Sequence, residues 1–396
     1  MIIRTGAGRA AIAAAVTGLA ATLLTISPAQ AAPAAEESAL LESAKTYFAG
    51  ENAITVEGGP AAATRKAESL KVADTFRATR DNRMEAREQL QSINDLAGVR
   101  YSAVDTELTP VGKARTEGDT ARIGVLEHTE YTFAGSKDAP YSYTVRHELS
   151  FVRADGGWAL AKISTQDGPA DLATPNKLDP TELSAAQKAA KELRAGAANG
   201  EKKLTDPAQK QQSSRERGAG PKGEGARPLA AYDYTAMVNF ATKYAKPVPK
   251  DNVPYIRDTN DCTNFVSQAL KAGGWERVLG WYRSDSAWWY TGNPWPFPKH
   301  SYTWGGAPNW QRFARDESER VYALSGPAGL GIADVVQFEI FGYSDPGQPG
   351  HTMMVTDFTP DWMPKMSYHS TDTLNRPLSE IIAEHSGGEK FWYFRT

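Results

Sequence analysis

The sequence predicts an α+β chain with two folded parts joined by a polar stretch. Three observations predict it. Apolar residues recur at helical spacing from about Ala39 to Leu96, and the period then shortens to strand-like alternation between Val99 and Ser164. After Pro228 the chain becomes dense in Trp, Tyr, Phe, Gly and Pro. A length of 396 residues leaves room for two or three domains at about 150 residues each.

Composition narrows the function classes. The chain is 23% charged and 41% hydrophobic, with a formal net charge of −3. A mean hydropathy of −0.49 excludes a multi-span membrane protein. The near-balanced charge argues against a dedicated nucleic-acid binder, whose affinity rests on clustered Lys and Arg. One cysteine excludes an intramolecular disulfide framework and a cysteine-cluster metal site.

Residues 1–31 read as a signal peptide. Arg4 and Arg9 precede an uncharged apolar run from Ala10 to Ile26, Pro28 breaks it, and Ala29-Gln30-Ala31 offers a cleavage point after Ala31. The run is short for the ~20 residues that span a bilayer. A secreted mature chain with no stable membrane insertion is expected, working as a monomer.

Residues 36–166 follow as one α+β domain. Leu40, Leu41, Ala44, Tyr47 and Phe48 mark a first helix, Gly58-Gly59-Pro60 interrupts, and Leu70, Val72, Phe76 and Met84 mark a charged second one. Strands are expected over Val99–Leu108, Thr120–Phe133, Tyr141–Arg153 and Trp158–Ser164, with an Asp155-Gly156 hairpin turn. In outline this resembles the cone-shaped, cystatin-like class. Residues 167–228 read as a flexible linker holding one short helix, Pro180–Arg194. Between Glu201 and Arg227 the linker carries seven Lys/Arg against four Asp/Glu, only mildly basic, so a solvated tether is expected.

Residues 229–396 form the second domain, and the chemistry is expected there. Tyr232–Ala245 reads as a helix. Cys262, Phe265, Val266, Ala269 and Leu270 form the apolar stripe of the next, with Asp261 as its N-cap and Gly273-Gly274 as its stop. A thiol in the first turn of a helix meets free N–H groups and the positive end of the dipole, which favour the thiolate. Val335–Ile340, His351–Phe358 and Lys365–Ser370 read as strands, so His351 and His369 are expected side by side at a sheet edge, against the helix start. His128, His147, His300 and His385 read as structural. No metal or cofactor is expected, because the six histidines show neither HExxH nor another ligand spacing.

The blocks Asp261-Cys262-Thr263-Asn264-Phe265-Val266-Ser267-Gln268, His351-Thr352-Met353-Met354-Val355-Thr356 and His369-Ser370-Thr371-Asp372-Thr373-Leu374-Asn375-Arg376-Pro377-Leu378 resemble the putative amidase domain family. That family belongs with the papain-like cysteine hydrolases, beside NlpC-type endopeptidases and CHAP-type amidases. The resemblance implies a papain-like α+β fold over 229–396, Cys262 as nucleophile, His351 as general base and His369 as the residue orienting it. Asp372, three residues beyond His369, is the alternative orienting group. The Cys262 backbone N–H and the Asn260 side chain are the candidate oxyanion donors.

These parts make an exported cysteine amidase or peptidase, acting on an amide or peptide substrate such as peptidoglycan. Two alternatives stand beside it. One is a catalytically idle wall- or glycan-binding module that uses the aromatic insert, in which Trp288, Trp289, Trp295 and Trp304 are the candidate contacts. Core filling and loop rigidity is the favoured reading of those four. The other is acyl transfer of the transglutaminase type on the same Cys–His machinery.

Overall fold

The computed structural model describes residues 30–31, 34–56, 72–135, 139–154, 156–166, 176–199, 204–218, 232–246, 254–292 and 298–396. The signal-peptide residues 1–29 and Trp295 therefore lie outside the described residues.

Helix α1 (Ala34–Asn52) buries Leu40, Ala44, Tyr47 and Phe48, the stripe that periodicity marks. Helix α2 (Asp74–Ala97) ends where Gly98 takes a φ of +77° and its N–H returns to the carbonyls of Asn94 and Asp95. An added Cβ at Gly98 would also lie 2.6 Å from the Asp361 carboxylate, so glycine is needed twice over. The meander follows as β2 (Tyr101–Glu117), β3 (Thr120–Phe133), β4 (Tyr141–Ala154) and β5 (Gly157–Thr165). A two-residue strand, β1 (Gln30–Ala31), pairs with the far end of β2. Along β3 burial alternates residue by residue, placing Ile123, Val125, Tyr131 and Phe133 inward.

The stretch expected as a tether is instead, in its described part, two docked helices. Helix α3 (Pro180–Asn199) runs past the expected end at Arg194. It starts on a reciprocal cap: Asp179 Oδ1 accepts the N–H groups of Thr181 (2.7 Å) and Glu182 (2.9 Å), and Glu182 accepts the Asp179 N–H. Pro180 occupies the position where its missing N–H costs nothing. Ala186, Ala190 and Leu193 are buried. Helix α4 (Pro207–Gly218) starts on Asp206 in the same way. Its Lys210 is fully buried and donates to the Ile332 carbonyl (2.6 Å), the Thr396 hydroxyl (2.9 Å) and the Asp334 carboxylate.

The remaining elements are α5 (Tyr234–Tyr244), α6 (Cys262–Ala272), α7 (Tyr302–Gly305), α8 (Ala307–Gln311), β6 (Tyr322–Leu324), β7 (Val335–Phe338), β8 (His351–Phe358), β9 (Pro364–Tyr368), β10 (Asp372–Pro377), α9 (Leu378–Glu384) and β11 (Phe391–Arg395). The strands join one antiparallel sheet in the order β1-β2-β3-β4-β10-β9-β8-β7-β11-β6, with β5 alongside β4. Strand β4 makes this continuity. Residues 142–144 pair with β10, while 147–154 pair with β5.

One core lies between the sheet and α2, α3 and α9. It takes Ile93, Tyr101 and Tyr143 from the first part and Phe338, Met353 and Tyr368 from the last. A second lies under α5 and α6, and a third under α1. Because helices cover both faces of the last strands, β8 is buried at nearly every position. Among the described residues no helix is long and apolar enough to cross a membrane.

Candidate active site

Helix α6 is buried from Cys262 through Leu270, and Cys262 is its first residue. Its apolar side packs on the sheet beside Met354 and Val335. Its polar residues are matched to partners. Asn264 Oδ1 accepts the Trp304 indole N–H at 2.8 Å, and Ser267 Oγ accepts that of Trp288 at 3.3 Å. Thr263 Oγ1 meets Thr352 Oγ1 at 2.9 Å, and Gln337 Nε2 donates to Thr352 Oγ1 at 2.9 Å, tying the helix start to β8 and β7.

Asp261 sits at the N-cap position but does not cap the helix with its side chain. Its carboxylate is drawn to other donors. Oδ1 accepts from the Asp258 N–H (2.9 Å) and Asn264 Nδ2 (2.7 Å), and Oδ2 meets His369 Nδ1 at 2.7 Å and Arg257 Nε at 3.4 Å. His369 is fully buried and stacks on Phe265, ring centroids 4.2 Å apart. Its Nε2 meets the Tyr244 carbonyl at 2.6 Å. Nδ1 also lies 3.2 Å from the Tyr255 hydroxyl, so both ring nitrogens are engaged and neither is open to a proton from Cys262.

The sulfur of Cys262 lies 3.4 Å from Asn260 Oδ1 and 3.6 Å from Thr263 Oγ1, with the residue 1% exposed. Burial pushes the thiol pKa up, and the Asp261 carboxylate adds to that. Hydrogen bonds from the Thr263 hydroxyl and the Thr352 and Thr263 backbone pull the other way without reversing it. The expected resting thiolate is therefore corrected. A helix start favours an anion, but dry surroundings and an adjacent carboxylate outweigh it here.

His351 opens β8, one residue before the Thr352 that meets the Thr263 hydroxyl. Its ring packs on Phe338 (5.2 Å between centroids) and edge-on to Tyr368 (4.9 Å), on the sheet face opposite Thr352. Its Nε2 is buried with no hydrogen-bond partner. Burial, then the proximity of His385, lowers its pKa to about 3, so the imidazole is neutral at pH 7. Among the described residues no hydrogen bond joins Cys262 to either histidine.

The expected neighbours thus separate into two groups. Asn260, Cys262, His369 and Asp372 gather around the start of α6, while the His351 side chain leaves β8 on the other face. Neither candidate orienting residue reaches His351. His369 is held by Asp261 and Tyr244, and Asp372 binds the Arg257 guanidinium, with Oδ2 3.0 Å from Nη1.

The aromatic insert also sorts differently. Trp288 and Trp304 are fully buried, so they fill the core rather than touch a substrate. Trp289 is partly buried, and its indole N–H donates to the Gly280 carbonyl at 3.0 Å. The exposed rings include Trp281 (67%), Tyr302 (44%), Phe341 (52%) and Tyr343 (53%), none of them among the four candidate contacts. Tyr343 is part of the cysteine cluster, since its hydroxyl oxygen accepts the Asn260 Nδ2–H at 2.8 Å. Among the described residues no group of three or more His, Cys, Asp or Glu could hold a metal ion.

Residues 231–394 match the family described as Putative amidase domain. That is the family the motif blocks resemble, and the match covers the expected segment nearly end to end. Two proteins of Bacillus subtilis (strain 168) are similar to this chain. Uncharacterized protein YjcM is 31% identical over 173 residues, 42% of this chain and 37% of its own length. Uncharacterized protein YhbB is 27% identical over 147 residues, 37% of this chain and 43% of its own. The matched region thus spans less than half of either relative. No solved structure matches. The family match supports an amidase-type hydrolase segment at 231–394.

Proposed function

We propose that the chain is an exported, cysteine-dependent amide hydrolase with a papain-like second part, acting on cell-wall peptides through Cys262. The observation that carries this reading is the seat of the sulfur, at the first residue of α6 and beside Thr263, whose hydroxyl meets that of Thr352, the strand residue next to His351. The Arg4, Arg9 and apolar-run pattern supports export, and export supports a wall substrate.

His351 serves as the base. It is neutral and keeps one nitrogen unengaged, whereas His369 has neither nitrogen free. The resting pair is a neutral thiol and a neutral imidazole on opposite faces of β8, so the transfer requires that substrate binding shift the start of β8 and bring the ring to the sulfur's face. The thiol proton passes to His351 as the sulfur bonds the amide carbon and the carbonyl electron pair moves onto oxygen. Collapse breaks the C–N bond, and the leaving amine takes the proton from His351. Water, deprotonated by the same ring, then cleaves the thioester. An amine in place of water gives acyl transfer.

The binding-module reading is second, favoured by the exposed rings of Trp281 and Tyr302. One experiment separates the two. The full chain and its Cys262→Ala variant are incubated with peptidoglycan fragments and released amines are followed. Release falls at least about 10³-fold in the variant, as expected when a nucleophile is removed. Release that survives in Cys262→Ala takes the sulfur out of the reaction.

A further inference from the structure

We infer that Tyr343 donates the hydrogen bond that stabilises the tetrahedral oxyanion, an assignment that rests on Cys262 being the nucleophile. Asn260 presents its carbonyl end to the site: Oδ1 lies 3.4 Å from Cys262 Sγ and accepts from Ser370 Oγ at 3.1 Å. An acceptor oxygen repels a developing oxyanion. The amide end of Asn260 donates to the Tyr343 oxygen at 2.8 Å. Asn260 is therefore spent as an orienting group, and the donor it would have supplied is displaced onto the phenol.

Tyr343 has what that role needs. Its oxygen accepts the Asn260 N–H, while its own proton has no acceptor among the described residues. A hydroxyl that accepts one hydrogen bond becomes a stronger donor of the next. Partial burial, then the proximity of Cys262, pushes its pKa upward, which keeps the proton in place for donation. The ring is 53% exposed, beside the buried sulfur.

The backbone beneath the ring is fixed. The Tyr343 N–H closes a turn on the Ile340 carbonyl at 3.1 Å, and Gly342 supplies the φ of +75° that the turn demands. Ser344 Oγ accepts the Ile340 N–H and donates to its carbonyl, each at 3.0 Å. The second donor is the Cys262 N–H, which at the first position of α6 has no intrahelical acceptor. No proton leaves Tyr343. The O–H holds the oxyanion while the carbonyl pair resides there and releases it as the pair returns to expel the leaving group.

Two reagents test this on the full chain. p-Nitrophenyl acetate acylates a thiol through a tetrahedral oxyanion and releases p-nitrophenolate. Iodoacetamide alkylates the same thiol by displacing iodide at a saturated carbon, with no oxyanion. Tyr343→Phe slows acylation of Cys262 by about 10²-fold, the usual effect of losing one oxyanion donor, and leaves alkylation unchanged. Equal slowing of both reactions would mean that the ring only shapes access, and unchanged acylation would mean that the hydroxyl does nothing; either overturns the inference alone. Acylation of Cys262→Ala at the rate of the unaltered chain, or no acylation of the unaltered chain at all, overturns the nucleophile assignment and the inference with it.

Discussion

His351 is buried at 1% exposure with Nε2 unpartnered, so the folded chain takes up a proton there far less readily than the unfolded chain. Its pKa falls from 6.5 to about 3. The stability this contributes is complete above pH 6.5 and drains as pH drops toward 3, at up to about 1.4 kcal/mol per pH unit. At Glu127 burial pushes the carboxyl up, but hydrogen bonding and charge from His147, then Asn52 and Thr129, hold it at about 2. That contribution is lost as pH falls from the ordinary glutamate value of 4.5 toward 2. Glu384, pushed upward by burial, works against His351 in the upper window, so the informative quantity is a difference between variants. Between pH 6.5 and 5, His351→Gln should lose about 1–2 kcal/mol less stability than the unaltered chain, read from urea midpoints. Equal losses would show that the ring is not dry in solution. At this scale the position of Cys262 was legible, because an apolar stripe that opens after Asp261 and stops at Gly273-Gly274 puts it in the first turn of α6. Trp288 and Trp304 fill the core, as the favoured reading of the insert had it, and polar Asn264 and Ser267 inside that stripe fix them there: buried polar groups need partners, and indole N–H groups supply them.

Element by element, strand register decided what the sequence could not. Met354 pairs with Ser367 and Val355 with Met366, so even numbers on β8 face odd numbers on β9. Extended to the strand start, that register sets His369 opposite Thr352, which puts His351 and His369 on different faces. No spacing count reveals this, since a slip of one residue would reverse it. The helices of the polar stretch were more accessible. Asp179-Pro180 and Asp206-Pro207 are both cap-and-start pairs, and only the first was used to place a helix. Composition concealed α4 because one lysine, rather than an apolar stripe, anchors it. Lys210 shares Asp334 with Arg395, whose Nε lies 2.8 Å from Oδ2, and its Nζ sits 4.3 Å from the Tyr234 ring centroid. Lys210→Ala leaves that buried carboxylate half-compensated and should cost about 3 kcal/mol, measured as a fall in the urea midpoint. A loss within experimental scatter would mean that α4 rests on the surface and the ion pair adds nothing.

The molecule as a whole is held by a core that neither half owns. Tyr101 and Asn94, from the first part, both donate to Glu380 Oε1 on α9 at 2.7 Å. Strand β4 hydrogen-bonds β10, and α3 buries Ala186, Ala190 and Leu193 against the same cluster that holds Phe338, Met353 and Tyr368. Cutting the chain before residue 229 would strip α2, α3 and β4 from that cluster, exposing the edge of β10 and the apolar face of α9 together. An uncovered strand edge beside an apolar face is a template for aggregation. The site lies on the other face of the same strands, so its geometry depends on a register that β4 and α3 help to hold. Residues 229–396 alone are therefore expected to be aggregated or molten, with weak near-ultraviolet circular dichroism and no sharp thermal transition, while 34–396 unfolds cooperatively. A soluble 229–396 fragment that melts in a single sharp transition would show that the amidase-like segment closes its own core, and that the shared sheet is an attachment rather than a foundation.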